Sequence, residues 1–304
     1  MHTTSAETIL TIQNLSKTFK QTKAVSNLSL EIKKGQVFGI LGPNGSGKTT
    51  TLAMLLGVLK PTSGSFSWFN NGTEAANRMR IGTLLETPNF YSYLNAYDNL
   101  KVVATIKELQ NPEQRIIDVL TQVDLLERGK RPFRTYSLGM KQRLAVAAAI
   151  LSDPEVLVLD EPTNGLDPMG IVEMRELILS IANQGKTIII ASHILDEIEK
   201  MCSHVAILKN GNLLSVGSMG EILSQSKKFI IKAKDYSKLL TAVEEDASLK
   251  RLVYADETAI LIEPLNFIEG DQLNQLFVQK GIYLSEIREY QKSLESIFIE
   301  TVQA

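Results

Sequence analysis

The segment from Gly42 to Thr49 constrains this chain more than any other part of its sequence. It reads Gly-Pro-Asn-Gly-Ser-Gly-Lys-Thr and fits the pattern G-x-x-x-x-G-K-S/T. Glycines let successive backbone N–H groups approach phosphate oxygens closely, and the N-terminus of the helix that follows attracts the same anion. The loop stands between a predicted buried strand, 37–41, and a predicted helix that begins at Lys48, which is the context that this motif requires. The sequence therefore predicts a site for nucleotide phosphates.

The residue types of this loop suggest separate roles. The Lys48 ammonium can contact the β- and γ-phosphates, and the Thr49 hydroxyl can bind Mg²⁺. A glycine-rich turn that binds nothing is the alternative, but the predicted strand before the loop and the helix after it argue against that. The residues expected to bind the nucleotide are Gly42, Asn44, Gly45, Ser46, Gly47, Lys48, Thr49 and Thr50.

Two acidic residues follow a second strand of the buried type. Residues 156–159 are all apolar, and Asp160 and Glu161 come directly after them. An acid at the carboxyl end of a strand in an α/β sheet lies at the crevice where such sheets bind ligands. We therefore expect Asp160 to hold Mg²⁺ through water, and Glu161 to polarise the water that attacks the γ-phosphate. A strand that merely ends at a charged turn is the alternative, which the phosphate loop disfavours.

Strands and helices alternate along most of the chain, which favours an α/β fold with a parallel sheet covered on both faces. From about residue 227 the pattern restarts in the order β-α-β-β-α-β with a final helix, which is typical of a small ferredoxin-like sandwich. Its strands are expected at 229–231, 252–255, 259–263 and 283–290, and its helices at 237–245, 271–279 and 294–302. The polar stretch 224–228 predicts two domains, 1–225 and 226–304.

Composition excludes several classes of function. The 304 residues include 32 Lys and Arg against 34 Asp and Glu, so the formal net charge of −2 does not predict binding to nucleic acid through a basic field. The single cysteine, Cys202, can form neither an internal disulfide nor a multi-thiolate metal site, which fits a reducing compartment. The apolar runs are far shorter than a membrane span, and residues 1–10 lack the features of a secretory signal. We therefore expect a soluble, intracellular protein.

Four further segments occur along the chain in the same order as the motifs of a known family. They are 84–86 (Leu-Leu-Glu) at the Q-loop position, 136–143 (Tyr-Ser-Leu-Gly-Met-Lys-Gln-Arg) at the signature, 164–168 (Asn-Gly-Leu-Asp-Pro) at the D-loop, and 192–193 (Ser-His) at the switch. Together with the phosphate loop and the acidic pair, they resemble the ATP-binding cassette (ABC) family, specifically the ATPase subunit of an ABC transporter. The likeness covers about residues 7–222.

This resemblance implies a P-loop NTPase cassette with a RecA-like parallel-sheet core, an antiparallel β subdomain and a helical subdomain at about 87–152. Within the helical section, the apolar pattern predicts a first helix over 99–110. The resemblance also implies ATP and Mg²⁺ as ligands, and a second copy of the chain bound head-to-tail so that two copies sandwich two ATP molecules. A separate polytopic membrane permease would hold the chain at the cytoplasmic face of the cell membrane.

The resemblance assigns roles to residues outside the phosphate loop. Ser137 and Gly139 of the signature would close over ATP held by the other copy, although Ser137 also suits a helix N-cap. Asp167 would contact the partner copy. His193 would contact the γ-phosphate and keep the attacking water aligned, whereas a lone histidine is more often structural. Phe19 would stack on adenine, which needs only a π-face, and a core position is the alternative.

The signature and the Q-loop position depart from the family pattern. Leu138 stands where the family has the first of two adjacent glycines, and Met140 stands where it has Gln. Glu86 replaces the Q-loop Gln; its carboxylate can still bind Mg²⁺ or a water of Mg²⁺, but it adds negative charge near phosphate. A Q-loop with Glu in place of Gln, followed by residues 88–91, is similar to the Q-loop of ATPase subunits of bacterial exporters for bacitracin-like and lantibiotic peptides. Residues 293–298 look like the tail of such drug-efflux subunits.

These observations predict the ATPase subunit of a bacterial ABC exporter for a drug, a peptide antibiotic or a similar substrate, a function linked to antibiotic resistance. A single cassette that drives a signalling or mechanical membrane complex without transport is one alternative. A soluble ABC ATPase acting on ribosomes or DNA is another, disfavoured because the chain has one cassette, no coiled-coil insertion and no basic excess. The region after residue 227 carries no catalytic motif and is expected to tune dimerisation or docking.

Overall fold

The computed structural model describes residues 7–69, 74–85, 88–223, 228–252, 258–265, 269–290 and 293–303. The chain folds as two units, Met1–Met219 and Gly220–Ala304. The domain division expected from the sequence, between 225 and 226, falls within residues 224–227, which lie outside the described part. That division therefore stays a prediction.

The first unit contains nine described strands and seven described helices. The strands are β1 (Thr8–Phe19), β2 (Thr22–Lys33), β3 (Val37–Leu41), β4 (Ser63–Trp68), β5 (Ile81–Leu84), β6 (Val156–Asp160), β7 (Thr187–Ser192), β8 (His204–Lys209) and β9 (Asn212–Ser218). The helices are α1 (Lys48–Leu55), α2 (Glu74–Met79), α3 (Ala96–Ile106), α4 (Glu113–Gln122), α5 (Leu138–Ile150), α6 (Pro168–Ala182) and α7 (Leu195–Met201).

A six-stranded sheet in the order β5-β6-β7-β3-β8-β9 forms the centre of this unit. Its first five strands are parallel, and β9 pairs antiparallel to β8. Every residue of β3, β6 and β7 is buried, as expected of apolar strands in a sheet covered on both faces. The register pairs Leu41 with Ser192 and Asp160 with Ala191, so the carboxyl ends of β3, β6 and β7 meet at one edge. The predicted parallel sheet is confirmed.

A second, antiparallel sheet has the order β2-β1-β4, and α3, α4 and α5 supply the helical part that the resemblance implies. The bounds predicted for the first of these helices, 99–110, are wrong. Asn95 begins α3 by accepting a hydrogen bond from Asp98 N (2.8 Å), whereas Asn99 is buried inside the helix and donates to the carbonyls of the preceding loop.

In the part of the chain that the structure describes, each helix is too short or too polar to cross a membrane.

Helix α8 (Met219–Leu223) stands at the boundary, and the second unit follows with a smaller sheet. Its elements are β10 (Lys228–Ala233), α9 (Tyr236–Glu244), β11 (Leu249–Leu252), β12 (Ile260–Pro264), α10 (Gly270–Gln279), β13 (Leu284–Tyr290) and α11 (Leu294–Gln303). The strand order is β11-β12-β10-β13 with antiparallel neighbours, so β12 lies between two strands joined through α9. This split β-α-β arrangement confirms the ferredoxin-like topology.

The core of the second unit forms between one face of the sheet and its helices. Ile231 and Ile262 of the sheet pack in one cluster with Leu239 of α9 and Phe277 of α10, and all four are buried. The second strand, predicted at 252–255, begins earlier, at Leu249, and Leu252 pairs with Leu261; the rest of the predicted strand falls within residues 253–257, which lie outside the described part. The exposed charged residues of β11 make its strand pattern difficult to recognise in the sequence, because an edge strand needs few apolar side chains.

Asp246 stabilises the second unit through a charged contact. It accepts hydrogen bonds from Lys280 Nζ (2.5 Å) and from the Ser248 hydroxyl and backbone N–H, which lower the pKa of Asp246 to about 2. A carboxyl with a depressed folded pKa stabilises the fold above its unfolded pKa, and the contribution is lost as pH falls through the folded pKa. We expect Asp246→Asn to lower the free energy of unfolding by about 1–2 kcal/mol at pH 7.

This difference should shrink between about pH 4 and pH 2, where the carboxyl becomes protonated. Hydrogen exchange of buried β10 and β12 amides, corrected for the intrinsic exchange rate at each pH, reports the stability of this unit. The exposed neighbour Glu245, changed to Gln, is the matched control and should have little effect. A loss of equal size at pH 7 and pH 2 would contradict the ionic origin of the effect.

Candidate nucleotide-binding site

The phosphate loop, residues 42–47, connects the buried strand β3 to helix α1. Gly47 has φ 101°, a conformation that residues with a Cβ rarely adopt. A Cβ atom at Gly47 would lie 2.5 Å from Ala24 O, and one at Gly42 would lie 2.4 Å from Leu208 O. Neighbouring backbone therefore leaves room only for glycine at both positions.

The other predicted phosphate-loop residues surround the N-terminus of α1. Asn44, Gly45 and Thr49 are exposed, Thr50 is half-buried, and Ser46 is buried. Within the described part of the chain, the Ser46 hydroxyl has no hydrogen-bond partner. A buried hydroxyl without a partner costs free energy, so a ligand with oxygen acceptors at this loop would satisfy it.

Lys48 is the first residue of α1, and its side chain is only 5% exposed. Its ammonium donates to Gly42 O (2.8 Å) and Pro43 O (3.4 Å), and it lies 3.3 Å from Glu161 Oε1. The two carbonyls hold the charge over the loop.

Glu161 follows β6 at the edge where the strand ends meet. Its φ is 49°, and its backbone N–H donates to Ala191 O (2.9 Å), which ties the residue to β7. Its Oε2 lies 2.8 Å from His193 Nδ1 and accepts a longer bond from His193 N (3.4 Å). The structure therefore brings Lys48, Glu161 and His193 into one cluster, with the carboxylate between the two other side chains.

Asp160 and Thr49 supply the oxygen atoms expected to hold Mg²⁺. Asp160 is the last residue of β6 and is buried, and Thr49 lies in the first turn of α1. Mg²⁺ prefers carboxylate, hydroxyl and phosphate oxygens, and it usually retains several waters. The residues present fit the ion by the chemistry of these donors. The third predicted ligand, Glu86, lies outside the described residues.

The signature and the D-loop each begin a helix. The Ser137 hydroxyl accepts a hydrogen bond from Met140 N (3.3 Å) and caps α5, and Asp167 Oδ1 accepts one from Gly170 N (2.9 Å) and caps α6. The capping alternative for Ser137 is therefore seen, and it leaves the hydroxyl proton available to a ligand. Gly139 is half-buried in the first turn of α5, beside a cavity of about 310 Å³ that the D-loop also lines.

Phe19 ends β1, and 44% of its surface is exposed. The Lys17 ammonium lies 5.1 Å from the centre of its ring. The alternative of a core position for Phe19 is therefore wrong. An exposed aromatic face is what stacking on a nucleotide base would need.

A cavity of about 720 Å³, which the sequence did not predict, lies within the first unit between α1, β4, β5, α3 and α5. Its lining is mainly apolar and includes Leu55, Phe66, Trp68 and Val103. Lys107 also lines it and donates to Ala148 O (3.4 Å) and Ser152 Oγ (3.1 Å), and burial lowers the pKa of Lys107. In the sequence, Lys107 resembles any surface lysine near a helix end, so no local signal distinguishes it.

Comparisons with known proteins identify the family of this chain. A family model described as ABC transporter matches residues 25–164. The bacitracin transport ATP-binding protein BcrA of Bacillus licheniformis is 39% identical over 302 residues, 97% of each chain. The lantibiotic transport ATP-binding protein SrtF of Streptococcus pyogenes is 42% identical over 206 residues, which cover 68% of this chain and 89% of the relative.

Solved structures show the same cassette. The protein cbiO1 of Clostridium perfringens, part of the ABC transporter complex cbiONQ, has 32% identity and a TM-score of 0.65 over 71% of this chain and 90% of its own. A dimeric ATP-binding cassette in a post-hydrolysis state, bound to ADP and Pi, has 25% identity and a TM-score of 0.62. The match covers 69% of this chain and 99% of the chain of that cassette. The resemblance to ATPases of bacitracin and lantibiotic transport is confirmed, and the chain belongs to the ATP-binding, ATP-hydrolysing proteins of ABC transporters.

Proposed function

We propose that this chain powers an exporter for a drug, a peptide antibiotic or a similar substrate, together with a second copy of itself and a separate membrane permease. The contact of Glu161 with both Lys48 and His193 carries the hydrolytic part of this proposal. The relatives named for bacitracin and lantibiotic transport support the substrate class.

In the proposed reaction, the ATP phosphates enter over residues 42–47 and Lys48 moves from the carboxylate to the β- and γ-phosphates. Glu161 Oε1, which then loses its ammonium partner, accepts a proton from the attacking water. The water oxygen forms the new bond to the γ-phosphorus as the bond to the ADP oxygen breaks. His193 holds Oε2, the other oxygen, so that the carboxylate keeps its orientation.

Mg²⁺, when bound, would neutralise charge on the phosphates. The Thr49 hydroxyl and the Asp160 carboxylate would hold it, the latter through water, and Glu86 would be a further ligand. The Ser46 hydroxyl, buried without a protein partner in the described structure, would find one on the nucleotide.

We propose that the second copy binds head-to-tail. Ser137 and Gly139 of one copy would close over ATP on the phosphate loop of the other, Asp167 would contact the partner, and the exposed ring of Phe19 would stack on adenine. The large apolar side chain of Met169, 66% exposed beside the D-loop, supports an interface on this face. The dimeric solved relative supports it as well.

The permease is proposed to dock in the 720 Å³ cavity and to hold the chain at the cytoplasmic face of the membrane. A mainly apolar cavity that is also lined by the Arg78 guanidinium and by the partly buried Lys107 ammonium, which bonds only neutral oxygens among the contacts described, complements an amphipathic segment that carries a carboxylate. We further propose that residues 226–304 form an accessory domain that tunes docking or dimerisation.

Lys107→Glu is expected to weaken binding of the permease at least about tenfold, because a like-charge contact costs several kcal/mol. Binding of ATP to the purified chain should stay unchanged. The exposed Lys101 on the same helix, changed to Glu, is the matched control. The permease is first identified by mass spectrometry after co-purification, and its affinity is then measured for each variant; equal affinities for both variants would place docking elsewhere.

Transport is tested with the chain and its permease reconstituted into vesicles. We expect ATP-dependent movement of a bacitracin-like or lantibiotic peptide, absent without the chain. An active ATPase that moves none of these peptides, while ATP alters a signalling response of the permease, would support the non-transporting alternative instead.

A further inference from the structure

Leu138, which replaces a family glycine, packs against the D-loop of its own chain. A Cβ atom placed on Gly165 would lie 3.0 Å from Leu138 Cδ2, so the leucine side chain covers this glycine closely. In the reverse direction, a Cβ atom on Gly139 would lie 3.9 Å from Leu166 Cδ2. Each of the two loops therefore places a leucine over a glycine of the other, and both pairs line the 310 Å³ cavity.

An ion pair joins the two helices that these loops begin. Arg143 Nη2 of α5 lies 2.7 Å from Glu173 Oε2 of α6, and Arg143 Nη1 donates to Val123 O at the end of α4 (3.0 Å). Only 15% of the arginine side chain is exposed. A partly buried guanidinium with three helices around it resists movement of α5 relative to α6 better than an exposed pair does.

The D-loop is in turn connected to Glu161 by a short stretch of chain. Asn164 N donates to Glu161 O (3.1 Å), and Leu166 N donates to Thr163 O (3.3 Å). Glu161 itself sits in the left-handed region (φ 49°), which residues with a Cβ rarely adopt, so its conformation depends on the contacts that hold this turn in place. A shift of Gly165 is therefore expected to move the backbone of Glu161.

We propose that Leu138 and Arg143 are positioning residues, which hold the 161–167 turn against the signature. Nucleotide bound at Ser137 then determines the position of Glu161 in the same chain. The inference rests on the proposed roles of Ser137 and Glu161. Glycine at 138 would leave Gly165 uncovered and would remove this contact between the two loops. The leucine thus links the two ATP sites of the proposed dimer through one chain.

The test compares Leu138→Ala, which removes the contact, with Leu138→Met, which retains a long apolar side chain. For Leu138→Ala we expect kcat to fall about tenfold, since a displacement of 1 Å at an active site can cost up to about 100-fold. The KM for ATP should stay within about twofold, because the phosphate loop is untouched, and the Hill coefficient for ATP should fall toward 1. Leu138→Met should restore both kcat and the Hill coefficient.

Arg143→Met, alone and combined with Leu138→Ala, shows whether both side chains act through the same turn. If they do, the double variant loses little more activity than the more impaired single variant. Losses of kcat that simply multiply would contradict the shared role. All variants are compared by circular dichroism and thermal unfolding, and the exposed position of Leu138 makes loss of folding in Leu138→Ala unexpected.

Leu138 also lies on the face proposed to meet the second copy, so dimer formation is measured separately. In a Glu161→Gln background, ATP should produce the same dimer with and without Leu138→Ala in size-exclusion chromatography. Loss of the dimer would make Leu138 an interface residue and overturn the inference. If Leu138→Ala kept the wild-type kcat while Glu161→Gln was inactive, the inference would be overturned but the proposed function would stand. If Glu161→Gln was itself active, the proposed function would be overturned.

Discussion

Replacing Glu161 with Gln is expected to lower steady-state ATP hydrolysis by about 100-fold or more while ATP still binds. General base catalysis contributes typically about 10²–10⁴-fold, and an amide cannot accept the proton of the attacking water. Gln has almost the same shape, and its oxygen can still accept a hydrogen bond from His193 N. The measurements are phosphate release under saturating ATP and the Kd for a fluorescent ATP analogue.

Glu155→Gln is the matched control, because Glu155 precedes the same strand, β6, at its opposite end. Its carboxylate pairs with Arg80 (2.6 Å), and that hydrogen bond lowers the pKa of Glu155. This variant should keep wild-type hydrolysis. If Glu161→Gln hydrolysed ATP within about threefold of the wild-type rate, a role as general base would be refuted.

Lys48→Met is expected to weaken ATP binding by about 100-fold, since hydrogen bonds to charged groups contribute about 1.5–3 kcal/mol each. Methionine fills most of the buried volume of the side chain but carries no charge, so the phosphates lose their cation. The same change leaves Glu161 without the ammonium that lies 3.3 Å away. Hydrolysis should fall with binding, and the two are measured on the same samples.

Lys34→Met serves as the control for loss of a lysine charge. Lys34 and its partner Glu7 are more than half exposed, and such pairs contribute little. Its ATP affinity should equal that of the wild type. Undiminished affinity in Lys48→Met would mean that the loop backbone alone holds the phosphates, contrary to the proposed role of the side chain.

The sequence predicted those parts of the fold that depend on local pattern. Apolar runs such as 156–159 predicted buried strands because a strand in a covered parallel sheet must be apolar on both faces. The predicted helix over 99–110 failed for an equally local reason: Asn95 caps the helix, while Asn99 is buried and bonds to carbonyls of a loop that precedes it. Sequence alone does not reveal which of two such polar residues is buried.

The sequence also predicted which types of residue form the site, but it did not predict the contacts between their side chains. The glycines, Lys48 and Thr49 of the phosphate loop form one continuous motif, because a backbone cradle has to be built from adjacent residues. The ion pair between Lys48 and Glu161, by contrast, joins the first residue of α1 to the residue that follows β6, and the strands that precede them, β3 and β6, are not neighbours in the sheet. No spacing in the sequence encodes such a pair.

By itself, the sequence determined the family chemistry of this protein: a loop that binds phosphates, an acidic pair at a strand end, and the order of the remaining motifs. Local rules suffice for the loop and the acidic pair, since each depends on residues that are adjacent in the chain, and the order of the motifs is read directly along the sequence. Only the tertiary structure decided that Glu161 lies between Lys48 and His193, that Lys107 lines an apolar cavity, and that Leu138 covers Gly165. Those contacts arise where distant segments pack, so sheet register and helix placement determine them.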